Sequence, residues 1–266
     1  MNAKTRVKAQ FERQAKQYTV SAVHAGGESL DRLVDLAELR PEDVTLDVAT
    51  GTGFTACAVA PFVRRVVASD LAPAMLNETR ALAARRGLTN VLAQHADAEA
   101  LPFRDRVFDL VTCRTAPHHF LDPMAFFRET HRVLKPGGRL VVSDTCSPDD
   151  DAGDAWMNRL EVLRDATHIR NYRPGEWRRM ADQAGLVWET GEVGLRQSMR
   201  FQEWVARSGT PPEVIEDVRR MLTKASPALR ETFQIEERED DIHFAWPYVV
   251  FRARKIGGQW SVIGGR

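Results

Sequence analysis

A strand, a glycine turn and a helix follow one another near residue 50, and this succession constrains the fold more than any other feature of the chain. Val44, Leu46 and Val48 alternate with polar residues, which is typical of a strand. Two glycines follow within residues 47–53 (DVATGTG), and residues 54–60 continue as a helix of small side chains. Glycines let a ligand approach bare backbone, and a helix N-terminus offers unpaired N–H groups. The segment therefore predicts a nucleotide-like ligand at the edge of an open α/β sheet.

Strand and helix patterns keep alternating up to residue 145. The predicted strands are 44–49, 63–69, 91–96, 107–113 and 139–143, and the predicted helices between them are 54–60, 73–87 and 123–134. Strands that alternate with helices in this way form right-handed βαβ units. The sequence therefore predicts a doubly wound α/β fold with a mostly parallel sheet, Rossmann-like in class.

The second half of the chain continues with helices and two more strands, at 187–195 and 243–254. Pro247 lies inside the last strand, which predicts a sheet edge or a bulge there. We expect one domain over residues 1–266. Its parts would be an N-terminal lid region (1–30), a cofactor-binding core (31–145), variable helices that cover the substrate together with the sixth strand (146–240), and a final strand and tail (241–266).

Composition excludes several classes of protein. The 37 basic and 37 acidic residues cancel, so no overall charge favours nucleic acid or an anionic membrane. Apolar runs are too short for an integral membrane segment, and the basic N-terminus lacks the apolar region of a secretory signal. The three cysteines (Cys57, Cys113 and Cys146) have no metal or redox spacing. Reduced thiols and a cytoplasmic location are the simple expectation.

Two ligands compete for the glycine turn. Residues 51–56 (GTGFTA) satisfy the loose dinucleotide pattern G-x-G-x-x-[GA], and Asp70 ends the next strand where a ribose-binding acid belongs. Asp47, however, places a carboxylate at the mouth of the turn, where it would repel a pyrophosphate. Asp97 ends the third strand, so that acids stand at three successive strand ends.

A ligand with an amino-acid end, a ribose and an adenine fits these acids better. Its ammonium group would bind near Asp47, and its ribose diol would donate two hydrogen bonds to Asp70. Asp97 would accept a hydrogen bond from the adenine amino group. The ring would lie among three apolar side chains, those of Leu71, Met75 and Ala98. S-adenosylmethionine has these parts and carries no phosphate.

Five motifs in order and spacing carry a family resemblance. They are LDVATGTG (46–53), SDLAPAML (69–76), HADAEALPFRDRVFDLVTCR (95–114), HHFLDP (118–123) and RVLKPGGRLVVSD (132–144). Over roughly residues 30–145 the chain resembles the class I S-adenosylmethionine-dependent methyltransferases, in particular the group named for ubiquinone and menaquinone biosynthesis. The resemblance implies a seven-stranded sheet of order 3-2-1-4-5-7-6 with strand 7 antiparallel. It also implies S-adenosylhomocysteine as the product.

The resemblance assigns roles residue by residue. The loop that holds the methionine portion matches Asp47, Ala49, Thr50, Gly51 and Gly53. The ribose and adenine contacts match Asp70, Leu71, Met75, Asp97 and Ala98. The positions beside the sulfonium and the acceptor entrance match Arg114 and Thr115, and Tyr18 would belong to a lid. Many family members have glycine where this chain has Ala49.

Methyl transfer asks mainly for alignment, since the sulfonium already carries a good leaving group. His118 and His119 follow the fourth strand and are the candidate catalytic residues, because histidine accepts protons near neutral pH. They could equally pack in that loop. The other histidines (His95, His131, His168 and His243) lack metal-ligand spacing, so we expect no metal.

The partner implied by this chemistry is a small-molecule methyl acceptor. Aromatic residues in the variable parts favour an apolar or aromatic acceptor, although they could instead pack the covering helices: Trp156, Tyr172, Trp177, Phe201 and Trp204. Two alternatives are a non-catalytic cofactor-binding protein on the same fold and an NAD-dependent oxidoreductase. The sequence leaves open the acceptor's identity, methylation at carbon, oxygen or nitrogen, the use of a general base, and the oligomeric state.

Overall fold

The computed structural model describes residues 2–19 and 26–257. Residue 1 and residues 20–25 of the expected lid region, and residues 258–266 of the expected tail, lie outside the described residues. The strands are β1 (Val44–Val48), β2 (Arg65–Asp70), β3 (Val91–His95), β4 (Phe108–Arg114), β5 (Leu134–Thr145), β6 (Leu186–Arg200), β7 (Glu236–Glu237) and β8 (Ile242–Lys255).

Helices connect these strands, and short 3₁₀ turns lie at Ala60–Phe62 and Pro117–His119. The helices are α1 (Ala3–Thr19), α2 (Glu28–Leu36), α3 (Phe54–Val59), α4 (Pro73–Arg85), α5 (Pro123–Val133), α6 (Asp151–Arg164), α7 (Pro174–Gln183), α8 (Phe201–Ser208), α9 (Pro212–Thr223) and α10 (Pro227–Thr232). Helix α5 shows the expected start, because the Asp122 side chain accepts a hydrogen bond from the Ala125 N–H and Pro123 occupies the first turn.

The sheet has the expected order. Its long strands run β3-β2-β1-β4-β5-β8-β6, with β1 to β5 parallel and β8 antiparallel to both of its neighbours. This is the predicted order 3-2-1-4-5-7-6, since β8 is the seventh long strand. The two-residue β7, which pairs with β8, was not expected.

Helices cover both faces of the central strands, which is why those strands are almost continuously buried. Leu110 and Val141 face α2 in one cluster of buried residues. Their neighbours Val111 and Val142 point the other way and join Phe127 of α5 in a second cluster. The alternation along β4 and β5 therefore builds two cores, one on each side of the sheet.

Two local expectations about strands were wrong. The fifth strand, expected at 139–143, begins already at Leu134, and residues 135–138 are an irregular part of it, with a register shift opposite Phe108 and Leu110. Pro247 does not mark an edge strand, because β8 lies between β5 and β6. The last β5 residue, Thr145, pairs with Tyr248, and Pro247 lies just beyond that end, where its carbonyl accepts a hydrogen bond from the Cys146 N–H at 3.0 Å. A missing N–H is tolerated there because the β5 ladder has ended.

The covering helices form a core of their own. Phe201, Trp204 and Trp246 are buried with residues of α6, α9 and the far end of β8. Glu161 of α6 accepts a hydrogen bond from the indole N–H of Trp246 and pairs with Arg164. We call α6, α8, α9, α10 and the outer ends of β6 and β8 the covering lobe.

Candidate active site

A cleft opens at the carboxyl ends of β1 to β4, where ligands bind in open α/β sheets. It holds about 1030 Å³ of space, its open mouth included. Eleven of the twelve residues predicted to bind the cofactor line it: Asp47, Ala49, Thr50, Gly51, Asp70, Leu71, Met75, Asp97, Ala98, Arg114 and Thr115. The volume suits a ligand with the parts expected from the sequence.

Asp47 lies at the end of β1 and is almost fully buried. Its two carboxylate oxygens accept hydrogen bonds from the hydroxyls of Thr50 (2.6 Å) and Thr112 (2.7 Å). Burial raises the pKa of Asp47 to about 6, although these hydrogen bonds and the Arg114 charge work against the shift. A bound cation at this wall of the cleft would stabilise the charged carboxylate.

Asp70 ends β2 and holds the glycine turn in place. One of its oxygens accepts a hydrogen bond from the Gly51 N–H and the other from the Ala72 N–H, each at 2.9 Å. Burial raises its pKa to about 6 as well, and the nearby Asp47 charge adds to the effect. A carboxylate has about four lone-pair positions, so both oxygens can still accept from a ligand diol.

The backbone of the turn explains why many family members have glycine where this chain has Ala49. Ala49 has φ = 51°, a left-handed conformation that glycine adopts without strain and alanine does not. Gly53, the predicted residue outside the cleft lining, has φ = 88° and caps α3. A Cβ there would lie 2.7 Å from Cγ2 of Thr79, so this glycine allows α3 and α4 to approach each other.

The end of the cleft beside Asp97 contains a cation that sequence reasoning missed. Lys4 of α1 forms ion pairs with Asp97 (2.6 Å) and with Glu99 (2.8 Å). The other oxygen of Asp97 accepts a hydrogen bond from the Glu99 N–H at 3.0 Å. Leu71, Met75 and Ala98 line the same end of the cleft. Asp97 thus faces the cleft while it also anchors α1.

Arg114 ends β4, and Thr115 follows it. The Arg114 guanidinium donates to the hydroxyls of Thr55 (3.0 Å) and Ser29 (3.3 Å). Burial lowers the pKa of Arg114 to about 10, against the charges of Asp47 and Asp31. Thr115 has φ = 53°, which is unusual for a β-branched residue and marks a position held by its surroundings.

The two adjacent histidines differ in position. His119 lines the cleft, whereas His118 is not part of that lining. The ring Nδ1 of His118 donates to Asp144 at 2.6 Å, and its backbone N–H donates to the same carboxylate at 2.9 Å. Burial disfavours the His118 imidazolium, but the Asp144 charge and hydrogen bond outweigh it and raise the pKa of His118.

Helix α1 covers the cleft through one face. Lys4, Val7, Phe11 and Tyr18 line it, and their spacing of three, four and seven residues is that of one helical stripe. Gln10 donates to Asp165 at 2.8 Å and Gln14 to the Ser208 carbonyl at 2.5 Å, which ties α1 to the covering lobe. This periodicity was the signal that could have identified Lys4 and Val7 beside the expected Tyr18.

The aromatic residues expected to face an acceptor lie elsewhere. Trp177, Phe201 and Trp204 are fully buried in the two large cores, and Trp156 and Tyr172 pack against those cores. None of the five lines the cleft. Its other lining residues lie within the five motifs or within two residues after them: Thr52, Phe54, Thr55, Ala96, Glu99, Ala116, Phe120 and Leu121.

The described part of the chain contains neither a metal-binding cluster nor a membrane-spanning helix. Within it, no group of three or more His, Cys, Asp or Glu side chains is arranged to hold a metal ion. No helix among residues 2–19 and 26–257 has the length and apolar character needed to cross a bilayer. Cys57, Cys113 and Cys146 are buried and unpaired.

Comparison with known proteins identifies the family. A family model described as a methyltransferase domain matches residues 46–142, which include the strand ends that form the cleft. The methyltransferase YcgJ of Bacillus subtilis (strain 168) is 35% identical over 225 residues, covering 85% of this chain and 88% of that protein. The chain belongs to the class I S-adenosylmethionine-dependent methyltransferases. The resemblance seen in the five motifs is thereby confirmed.

Other relatives agree with this assignment. The crystal structure of BH2331 from Bacillus halodurans C-125 superposes on this methyltransferase with a TM-score of 0.83 at 34% identity, covering 86% of this chain and all of that one. The demethylmenaquinone methyltransferase of Thermus thermophilus is 45% identical over 120 residues, 44% of this chain and 54% of that protein. The similarity to the Thermus thermophilus protein is confined to about half of each chain.

Proposed function

We propose that this methyltransferase transfers a methyl group from S-adenosylmethionine to a small, apolar or aromatic molecule by in-line displacement. The observation that carries the proposal is the convergence of three acids, Asp47, Asp70 and Asp97, on one cleft at the ends of three neighbouring strands. When bound, the cofactor supplies an activated methyl group together with its leaving group.

The donor set of the cleft fits each part of the cofactor. Asp47 has its charged form disfavoured by burial, so an ammonium group would be a favourable neighbour. Asp70 offers two oxygens to the ribose hydroxyls, and the Gly51 turn brings backbone close to the methionine portion. Asp97 and Ala98 would contact the adenine amino group, with Leu71 and Met75 beside the ring.

The remaining predicted residues take supporting roles in the proposal. Arg114 and Thr115 would lie beside the sulfonium and the acceptor entrance. Ala49 and Thr50 would complete the loop around the methionine portion, and Gly53 would keep that loop against α4. His118 would position its neighbour through its ion pair with Asp144, rather than touch the acceptor itself.

Apolar and aromatic side chains also line the cleft. Phe11, Tyr18 and Phe120 are among them, which favours an uncharged acceptor of small size. In-line transfer requires alignment above all, and α1 lies over the cleft where it would exclude water. We propose one domain over residues 1–266, with residues 1–30 as the lid region, and a cytoplasmic protein without nucleic-acid partners.

Calorimetry with S-adenosylhomocysteine tests the cofactor assignment. We expect micromolar binding to the unaltered protein and about 100-fold weaker binding to Asp70→Ala, because two hydrogen bonds to a charged group are lost. Asp70→Asn keeps the shape of the side chain but removes its charge. It therefore separates an effect of the lost charge from an effect of misfolding. Asp35→Asn, at an exposed aspartate of α2, is the matched control and should bind normally. Failure of the unaltered protein to bind would refute the proposal.

A further inference from the structure

The hydrogen bonds of His119 determine which ring nitrogen carries its proton. Nδ1 lies 3.0 Å from the backbone carbonyl of Thr167. A carbonyl oxygen only accepts, so Nδ1 is the protonated nitrogen and Nε2 keeps its lone pair. Among residues 2–19 and 26–257, none forms a hydrogen bond with Nε2. Since the ring lines the cleft and Nδ1 is turned toward Thr167, the free lone pair is available to a ligand in the cleft.

Two neighbours hold this ring in its orientation. The edge of the Phe11 ring from α1 meets it at 5.0 Å between centroids, with the planes at 87°. Thr167 is fixed in turn by Asp165, whose Oδ1 accepts from the Thr167 N–H (2.8 Å), the Thr167 hydroxyl (2.7 Å) and the Gln10 side chain (2.8 Å). Helix α1 and His119 therefore share one hydrogen-bond network, centred on a buried carboxylate.

The groups around His119 keep it neutral. The His118 ring lies 4.3 Å away and the His168 ring 6.1 Å away, while Asp165 and Asp144 supply the nearby negative charges. Burial, followed by the charge of His118, lowers the pKa of His119 to about 4. The ring is then a hydrogen-bond acceptor throughout the neutral range, and it readily gives up a proton it has received.

The lone pair on Nε2 of His119 limits which chemical group the methyl acceptor can present to it in the apolar cleft. It repels a carboxylate or thiolate, and an ammonium ion that donated to it would still lack a lone pair for the methyl group. A neutral hydroxyl group donates its hydrogen and keeps lone pairs on oxygen. Val7, Phe11 and Phe120 surround the same space and favour an apolar body on that molecule.

We infer that the acceptor is a neutral hydroxyl compound of apolar or aromatic character, and that Nε2 of His119 accepts its hydroxyl proton. This inference rests on the proposed function. The hydroxyl oxygen forms the new bond to the methyl carbon, and the carbon–sulfur bond breaks with its electron pair remaining on sulfur. The hydroxyl proton passes to Nε2 of His119, so that atoms and charge balance.

Nitrogen NMR of the histidine rings tests the inference without turnover. In the complex with S-adenosylhomocysteine, we expect an unprotonated Nε2 for His119, assigned by its loss in His119→Phe. Phenol should shift this resonance upfield as its hydroxyl donates to the lone pair, and anisole, which has no hydroxyl hydrogen, should not. A protonated Nε2, or equal responses to phenol and anisole, would overturn the inference, as would no response to phenol.

Methyl transfer to 2-naphthol gives a second readout. His119→Phe keeps the ring packing against Phe11, so the affinity for S-adenosylhomocysteine should be unchanged while kcat falls about 100-fold or more. A labelled methyl group from S-adenosylmethionine should be transferred to 2-naphthol and not to 2-naphthoate. Transfer to 2-naphthoate and not to 2-naphthol would contradict the inference. If the unaltered protein does not bind S-adenosylhomocysteine, the proposed function itself is refuted. The two failures are therefore distinguishable.

Discussion

Two regions use their side chains in opposite ways: the proposed cofactor half of the cleft, formed at the ends of β1, β2 and β3, and the covering lobe. In the first, acidic residues at the strand ends line the cleft, and the left-handed backbone of Ala49 lies beside them. In the covering lobe, the large aromatic residues pack against one another and leave the cleft to α1. Residue type thus indicates function only where the backbone around it is also recognisable.

This difference has a physical origin. A strand end followed by glycines must place its side chains at the sheet edge, because the βαβ connection leaves no other arrangement. A tryptophan on an amphipathic helix can face a cleft or a core, and burying it stabilises the fold in either case. The lobe's tryptophans face its own core.

The largest expected effect tests whether the lobe is mainly structural. Trp204→Ala should lower the free energy of unfolding by about 3–5 kcal/mol, since it removes a fully buried ring and leaves a cavity. Denaturant unfolding measures this, and Phe62→Ala, at a mostly exposed ring, is the control. The folded variant should bind S-adenosylhomocysteine normally. A matching loss of affinity would mean that the lobe contributes to the cofactor site.

The acids of the cofactor half predict a pH dependence. Asp47 and Asp70 have pKa values of about 6, raised by burial, so both are charged above that pH and become protonated below it. Affinity for S-adenosylhomocysteine should therefore fall with decreasing pH, about 5-fold per group from pH 6 to 5. Calorimetry across this range measures it. Asp70→Asn should halve the slope, and a flat profile in the unaltered protein would contradict the assignment of both acids.

The glycine turn predicts a stabilising substitution. Ala49→Gly should raise the free energy of unfolding by about 1 kcal/mol, because glycine adopts φ = 51° without the strain that alanine carries. Thermal and denaturant unfolding measure the change. Ala84→Gly, at an exposed position inside α4, should do the opposite and serves as the control. If both substitutions lowered the free energy of unfolding, the turn would adopt a conformation in solution in which Ala49 is not strained.

The smallest expected effect concerns helix α1, which connects the cleft with the covering lobe. Lys4→Met should weaken binding of S-adenosylhomocysteine about 2- to 5-fold, since partly exposed ion pairs to Asp97 and Glu99 that hold α1 over the cleft are lost. The dissociation rate should rise and should become less sensitive to salt. Arg6→Met, exposed on the same helix, is the matched control. An unchanged dissociation rate would show that α1 does not retain the ligand.

Much of the fold was predictable because its signals are local. The five motif strands alternate with helices, and the parallel order follows from short right-handed connections. Most boundaries moved by one or two residues, as for β2, expected at 63–69 and found at Arg65–Asp70. The start of β5 moved further, from 139 to Leu134. The length of β6 was missed, since its last residues pair only with β8 and carry no apolar pattern.

Most of the residues that line the cleft at the strand ends were also predictable, and of the α1 residues that line it only Tyr18 was expected. Asp47, Asp70 and Asp97 lie at or just after the ends of strands that meet at one edge of the sheet. Lys4 reaches Asp97 across 93 positions of sequence, and Gln10 reaches Asp165 across 155. Contacts of this kind depend on how α1 packs over the finished sheet.

The sequence by itself determined the class of this protein: the order of its strands, the glycine turn and the acids that meet around it, because each is encoded within a few neighbouring residues. Only the tertiary structure decided the rest. It turned His119 toward the cleft and His118 toward Asp144, although the two are neighbours in the chain. It also placed the lobe's aromatic residues in a core rather than a binding surface. Adjacent side chains diverge because distant partners, here Thr167 and Asp144, determine where each ring can form its hydrogen bonds.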